Sequence, residues 1–181
     1  YRSGMLYLFR IISDEDPDFY RDLLIDSSDT FLNFHNVLQE NLKYDATQLA
    51  SFFITNDEWE KTNEITLIDM QIDSPIPIDT MEQSMIGDYT VDENQRMLYV
   101  FDFFSERAFF IELMETFDKK SQVSTPFISA EKGAPPTQLA FSLDDTDLTE
   151  DLGDFDDEDP DDIDFIPLDG DYPDPDNPDV Y

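Results

Sequence analysis

The chain has 181 residues, and its 44 acidic against 10 basic residues give a formal net charge of −34. This excess excludes direct binding to nucleic-acid backbones or anionic membranes as a default, because both depend on Lys and Arg. There is no cysteine, which excludes disulfides, thiolate metal sites and cysteine nucleophiles, and the single histidine, His35, excludes multi-histidine metal sites.

Targeting signals are not evident in the sequence. No apolar run approaches the roughly 20 residues that a membrane span needs. No basic segment followed by an apolar one opens the chain. We therefore expect a cytoplasmic protein. Residues 1–4 precede Met5 and are interpreted as a remnant of cloning rather than native sequence.

The first predicted elements are a hairpin and a helix. Residues 6–12 and 19–25 are rich in aromatic and β-branched side chains and are separated by a breaker run, which predicts two paired strands. Ser28, Asp29 or Thr30 can cap the helix that follows, and Lys43 falls in its last predicted turn. The apolar residues that recur at helical spacing are Phe31, Phe34, Leu38 and Leu42.

The later elements complete a two-layer α+β fold. In chain order they are a buried strand (49–55), a loop (56–63), a short strand or turn (65–68), one or two helical turns (80–86) and a closing hairpin (97–103 with 107–117). One main helix packed on a mixed sheet is the predicted architecture, and a β-grasp-like arrangement fits this order.

Charge divides the chain into two parts. All ten basic residues lie at or before Lys132, whereas residues 133–181 carry 18 acidic residues, none of them balanced by Lys or Arg, and 7 of the 11 prolines. A segment of that composition rarely forms a core alone. We expect an α+β domain over residues 5–132 and an acidic, proline-rich C-terminal tail over residues 133–181.

Four segments of the domain resemble a known family. They are Tyr-Leu-Phe-Arg-Ile at 7–11, Thr-Phe-Leu-Asn-Phe-His at 30–35, Phe-Phe-Ile at 52–54 and the hairpin from 101–103 to 111–113. In this order they resemble the plasmid pRiA4b ORF-3-like family over about residues 6–136, which leaves the acidic tail outside the resemblance. The resemblance implies a mobile-element passenger protein, of a family in which no activity is settled.

The closing hairpin departs from that family's pattern. Many members carry Tyr-Asp-Phe-Gly-Asp-x-Trp-x-His there, and residues 101–103 match it or nearly do. The positions expected to hold Gly, Asp, Trp and His are occupied by Phe104, Ser105, Arg107 and Phe109. If that polar cluster serves a site in other members, this chain has lost it, so the resemblance implies the scaffold alone.

No catalytic, cofactor or metal residue is predicted. His35 has no serine or carboxylate at a spacing that marks a relay, and we interpret it as a histidine packed partly on the core. The loop acids are interpreted as a solvated face: Asp57, Glu58, Glu60, Asp69, Asp73 and Asp79. The acids of residues 154–164 do not match calcium-loop spacing, so only weak divalent cation binding is expected there. No phosphate-binding loop is present.

The tail combines acids with apolar residues, which is typical of segments that fold on docking. The candidate interaction residues are Leu148, Leu152, Phe155, Ile163, Phe165, Ile166, Leu168 and Tyr172. Our first hypothesis is a non-catalytic interaction protein whose body and tail bind a protein partner or a second copy. The alternatives are an acidic DNA mimic that acts on a nucleic-acid-binding protein, and a carboxylate- or metal-dependent hydrolase.

Overall fold

The computed structural model describes residues 4–119 and 123–140, which contain one sheet and one main helix. The strands are β1 (Met5–Ser13), β2 (Tyr20–Asp26), β3 (Ser51–Thr55), β4 (Lys61–Thr66), β5 (Ile78–Thr80), β6 (Arg96–Asp102), β7 (Arg107–Asp118) and β8 (Phe127–Lys132). The helices are α1 (Phe31–Leu42) and the single-turn α2 (Ile86–Tyr89). Across the sheet the order is β5-β4-β3-β6-β7-β1-β2-β8, and only β4 and β5 run parallel.

This architecture confirms the predicted α+β class with a mixed sheet and one main helix. The first hairpin pairs Leu6 with Asp26 and Ile12 with Tyr20, and β6 pairs with β7 as the closing hairpin. Within the described ranges, no helix is long and apolar enough to cross a membrane.

Helix α1 has the predicted start and a different end. The hydroxyl oxygen of Thr30 accepts a hydrogen bond from the Asn33 N–H (3.2 Å), so Thr30 is the cap among the three candidates. Lys43 lies just beyond the last turn in a left-handed conformation (φ 56°), and its N–H donates to the carbonyl oxygen of Glu40. Its backbone therefore terminates the helix.

The core lies between α1 and one face of the sheet. Phe34 of the helix contacts Phe9 of β1 and Phe52 of β3, with ring centroids 5.4 and 5.0 Å apart. All three are fully buried, and burying one such side chain contributes about 1.5–3 kcal/mol. Aromatic packing of this kind fixes the helix across the central strands.

The local structure differs from the prediction in three places. β4 begins at Lys61, inside the predicted loop, because its first residues pair through the backbone while their side chains stay exposed. β8 was not predicted, because its pairing with β2 likewise depends on backbone bonds and not on an apolar repeat.

The third difference concerns residues 80–86, where helical turns are predicted. Residues 81–83 form a single turn, closed by the Gln83 N–H that donates to the Thr80 carbonyl oxygen (3.2 Å), and α2 begins only at Ile86. The backbone of Met81 bonds to other elements: its N–H donates to the carbonyl oxygen of Thr66 (2.8 Å), and its carbonyl accepts from the Leu32 N–H (3.1 Å). Met85 precedes α2 as its cap. Tertiary hydrogen bonds override the local helical spacing of Met81 and Met85.

Candidate functional site

An apolar groove of about 520 Å³ opens at one end of the sheet. Six large apolar side chains line it, with exposed fractions between 36% and 86%: Leu49, Ile68, Met70, Phe103, Phe104 and Leu139. They are half of the large apolar side chains that are exposed in the described part of the chain. Such a concentration marks a binding surface more often than scattered exposure does.

Antiparallel pairing brings these residues together. Ser51, at the start of β3, pairs with Thr66, at the end of β4, and with Val100, near the end of β6. Leu49 precedes Ser51 and Ile68 follows Thr66, so both lie at the same end of the sheet as the β6–β7 turn. The groove is therefore built from segments that are distant in sequence.

The β6–β7 turn places two phenylalanines at the groove. Phe103 and Phe104 follow directly on Asp102, whose carboxylate accepts a hydrogen bond from the Ser105 N–H (3.3 Å). Turns usually carry Gly, Asn, Asp or Ser. An apolar pair at this point is the one local sequence signal that could have identified the groove.

The groove's last wall comes from residues 133–140, which we call the strap. The strap follows β8 and is held by side chains of the body that donate to its carbonyl oxygens. Arg21 donates to Gly133 (3.0 Å), Tyr44 to Pro136, and Arg107 to Thr137 (2.7 Å) and Gln138 (3.3 Å). Composition assigns the strap to the tail, but its backbone lies against the α+β body.

Asp102 completes this attachment at the groove itself. Its Oδ2 accepts from the Ala140 N–H (3.2 Å) and from Arg107 Nη1 (3.4 Å). Burial opposes ionisation of this carboxyl, but the hydrogen bonds from Ala140, Ser105 and Arg107 outweigh burial and hold its pKa below the ordinary value. An ionised Asp102 thus anchors both the turn and the strap.

A smaller hollow of about 230 Å³ adjoins the groove and shares Thr66 and Met70 with it. Asp69 and Asp79 line it, and the carboxylate of Asp79 accepts a hydrogen bond from the Tyr89 hydroxyl (2.7 Å). No Lys or Arg of the described residues lines either space. The hollow is therefore acidic, whereas the groove is apolar.

The sequence matches the family model described as "Plasmid pRiA4b ORF-3-like protein" over residues 7–179. The chain belongs to the plasmid pRiA4b ORF-3-like family. The match continues past Pro136, so the expectation that the acidic tail lies outside the family is wrong. Its extent is close to the whole chain.

This pRiA4b ORF-3-like protein resembles a solved structure in fold. That structure is the crystal structure of MM3350, a protein of unknown function from Methanosarcina mazei Go1. The two share 22% identity with a TM-score of 0.60, over 72% of this chain and 71% of that one. No curated protein is significantly similar.

The positions that depart from the family's hairpin pattern have structural roles in this member. Phe109 is fully buried, stacks on Phe19 and packs at a tilt against Phe101, with centroids 5.3 and 4.7 Å apart. Arg107 pairs with Glu15 (2.8 Å) in addition to Asp102. Phe109 therefore belongs to the core and Arg107 to the strap attachment, at positions where the resemblance predicts His and Trp.

His35 lies on the buried side of α1 and packs in the core more completely than the partial packing expected. It is 3% exposed, and its Nδ1 is 2.8 Å from the hydroxyl oxygen of Tyr99, which accepts a hydrogen bond from the Gln39 side chain (2.6 Å). Burial lowers the pKa of His35 to about 4. The imidazole is thus neutral near pH 7 and sealed from solvent.

The loop acids separate into two groups in the structure. Asp69 and Asp79 meet in the hollow, whereas Asp57, Glu58 and Glu60 are exposed on the β3–β4 loop. Within the described ranges no three metal-binding side chains cluster. The candidate interaction residues of the tail, from Leu148 to Tyr172, lie outside the described residues.

Most basic side chains of the body are already paired. Six of them form ion pairs with carboxylates of the body: Arg10, Arg21, Arg96, Arg107, Lys119 and Lys132. Lys61 lies over the Phe53 ring, 4.1 Å from its centroid. The surface available to a partner is therefore dominated by acids.

Proposed function

We propose that this pRiA4b ORF-3-like protein is a non-catalytic interaction protein whose apolar groove binds an apolar segment of another protein chain. The clustering of six exposed apolar side chains around one groove carries the proposal. Burying a single Leu or Phe contributes about 1.5–3 kcal/mol. A few such anchors, less the cost of ordering both chains, support binding in the micromolar range, which corresponds to about 8 kcal/mol.

The acidic tail is proposed to add a second contact with the partner or with another copy. Its apolar residues alternate with acids, and residues 163–168 have the pattern of an extended segment that could pair with a sheet edge. The strap is the start of this tail, and Asp102 holds Ala140 of the strap at the groove wall. The groove and the start of the tail thus belong to one surface.

The absence of catalysis is part of the proposal. The imidazole of His35 is hydrogen-bonded to Tyr99 in the core, so it has no access to a substrate. The carboxylate- or metal-dependent hydrolase is the weaker alternative. The observation in its favour is that two of the loop acids, Asp69 and Asp79, share a hollow. We propose no cofactor.

An acidic DNA mimic is the second candidate function. Pairing of six basic side chains within the body favours it, since unpaired carboxylates then dominate the surface. The same charge supports the expectation that the protein binds neither nucleic acid nor membranes directly. A cytoplasmic location, a mobile-element origin and a β-grasp-like layout complete the proposal.

Peptide binding by the full chain tests the function. We expect fluorescein-labelled peptides with Leu and Phe anchors to bind, and Leu49→Ser or Ile68→Ser to weaken binding by about tenfold or more, because each removes roughly 1.5–3 kcal/mol of apolar contact. The control is Val91→Ser, at an apolar position outside the groove that is more exposed (68%) than Leu49 (44%) or Ile68 (53%). If all three variants bind as the unmodified chain does, the groove is not the site.

A further inference from the structure

We infer that the segment that occupies the groove carries Lys or Arg beside its apolar anchors and comes from a partner protein. This inference rests on the proposed function. The apolar groove and the acidic hollow share Thr66 and Met70, so one bound segment can reach both. Its apolar side chains would fill the groove while a cationic side chain enters the hollow.

The carboxylates of the hollow are available to such a cation. Asp69 accepts a hydrogen bond from the Gln71 N–H (2.9 Å), and Asp79 accepts from Tyr89 (2.7 Å). Neither forms an ion pair within the described ranges, although most basic side chains of the body do. Both residues are exposed, and both line the hollow. Two carboxylates without a cationic partner, beside an apolar groove, complement a cation next to an apolar anchor.

The negative charge of the hollow also disfavours binding of a segment from this chain itself. Residues 133–181 offer apolar anchors but contain no Lys or Arg. Placing that segment in an acidic hollow would bring like charges together, which is unfavourable. A second copy has the same net charge of −34. A cationic partner is instead attracted at long range, so its association accelerates as ionic strength falls.

The test uses the full chain and three fluorescein-labelled peptides that share the core Leu-Ala-Leu-Phe. The core is flanked on both sides by Lys, by Ser or by Glu, and binding is measured by fluorescence anisotropy. We expect the Lys-flanked peptide to bind about tenfold more tightly than the Ser-flanked one at low salt, and the Glu-flanked peptide to bind least. In molar salt, where the Debye length is about 3 Å, the advantage of Lys should vanish.

Substitutions of the two carboxylates test whether the cationic side chain of the peptide binds in the hollow. Asp69→Asn, alone and combined with Asp79→Asn, should reduce the advantage of the Lys-flanked peptide several-fold while leaving the Ser-flanked peptide unchanged. Asparagine at position 79 still provides an oxygen that can accept from Tyr89, and the single Asp69→Asn variant avoids that contact. Asp73→Asn, in the same linker but outside the hollow, is the matched control.

The outcomes separate the inference from the function on which it rests. Equal binding of the three peptides, or a Lys advantage that survives in the Asp69 and Asp79 variants, would overturn the inference while the groove remains a binding site. Tightest binding of the Glu-flanked peptide would overturn it in favour of a tail-like occupant. If no peptide binds, the proposed function fails and the inference fails with it.

Discussion

Asp102 Oδ2 and Arg107 Nη1 lie 3.4 Å apart at the base of the β6–β7 turn, and both side chains hold the backbone of the strap. Asp102 accepts from the Ala140 N–H, while Arg107 donates to the carbonyl oxygens of Thr137 and Gln138. The pair thus connects the closing hairpin to the chain that walls the groove. This attachment is the basis for the first two predictions.

Arg107→Lys should loosen the strap without unfolding the sheet. Lysine keeps the charge but cannot donate simultaneously to Glu15, Asp102 and two carbonyl groups. We expect a loss of about 1–3 kcal/mol in the free energy of unfolding and faster hydrogen exchange at the Ala140 amide. Lys132→Ala breaks an exposed ion pair with Asp18 and should cost at most about 1 kcal/mol. Unchanged exchange at Ala140 would contradict the assigned role of Arg107.

Tyr44→Phe tests the middle of the strap. The hydroxyl of Tyr44 donates to the Pro136 carbonyl, while its ring packs on Phe101 with centroids 5.5 Å apart. Phenylalanine keeps the packing and loses the hydrogen bond, so we expect a loss of about 0.5–1.5 kcal/mol in denaturant unfolding. Tyr20→Phe is the control, because the ring of Tyr20 contacts Arg10 and its hydroxyl has no hydrogen-bond partner in the described residues. Equal effects of the two substitutions would exclude a specific role for the Tyr44 hydroxyl.

His35 should make stability depend on pH in a defined direction. Its pKa is about 4 in the folded protein, because of burial, and 6.5 ordinarily. As pH falls, the unfolded state therefore takes up the proton first. The free energy of unfolding is therefore unaffected by His35 above about pH 6.5. It decreases by about 3 kcal/mol in total as the pH falls from about 6.5 toward 4.

The measurement compares the free energies of unfolding of the unmodified chain and the His35→Gln variant at several pH values. Glutamine does not titrate, and the carboxylates are common to both proteins, so their contribution cancels in the difference. The unmodified chain should lose stability relative to the variant between about pH 6.5 and about pH 4. A difference that is constant over this range would show that His35 is not sealed in the core.

Phe109 should be required for stability in this member, although the resemblance predicts His at this position. Phe109→Ala removes a fully buried ring that packs on Phe19 and Phe101, and we expect a cost of about 3–5 kcal/mol. Phe117→Ala, at a position of the same strand that is 42% exposed, should cost about 1 kcal/mol or less. Calorimetry of both variants provides the comparison, and similar losses would contradict the burial of Phe109.

The elements that the sequence predicts are those with a local pattern. α1 has four apolar residues at helical spacing after a capping threonine, and the two hairpins alternate over short aromatic runs. β8 and the start of β4 lack such a pattern, because their side chains face solvent and their pairing lies in backbone hydrogen bonds.

The groove could not be predicted from the sequence, for a different reason. Leu49, Ile68 and Phe103 meet because β3 pairs with both β4 and β6 in a register that no single segment encodes. Asp69 and Asp79 likewise appear as ordinary loop acids until the parallel pairing of β4 with β5 brings them to one hollow. Phe104 in the β6–β7 turn is the local sequence signal for the groove, because large apolar residues are not among those that favour turns.

Methyl NMR of the full chain labelled at methionine most directly tests the claim that the groove is the binding surface. Met70 lines the groove and Met114 of β7 does not, and each is 42% exposed, so the two methyl groups differ in location and not in accessibility. On titration with the Lys-flanked Leu-Ala-Leu-Phe peptide, the Met70 resonance should shift and saturate while that of Met114 stays in place. A shift of Met114 without one at Met70, or no shift at either while anisotropy reports binding, would contradict the account.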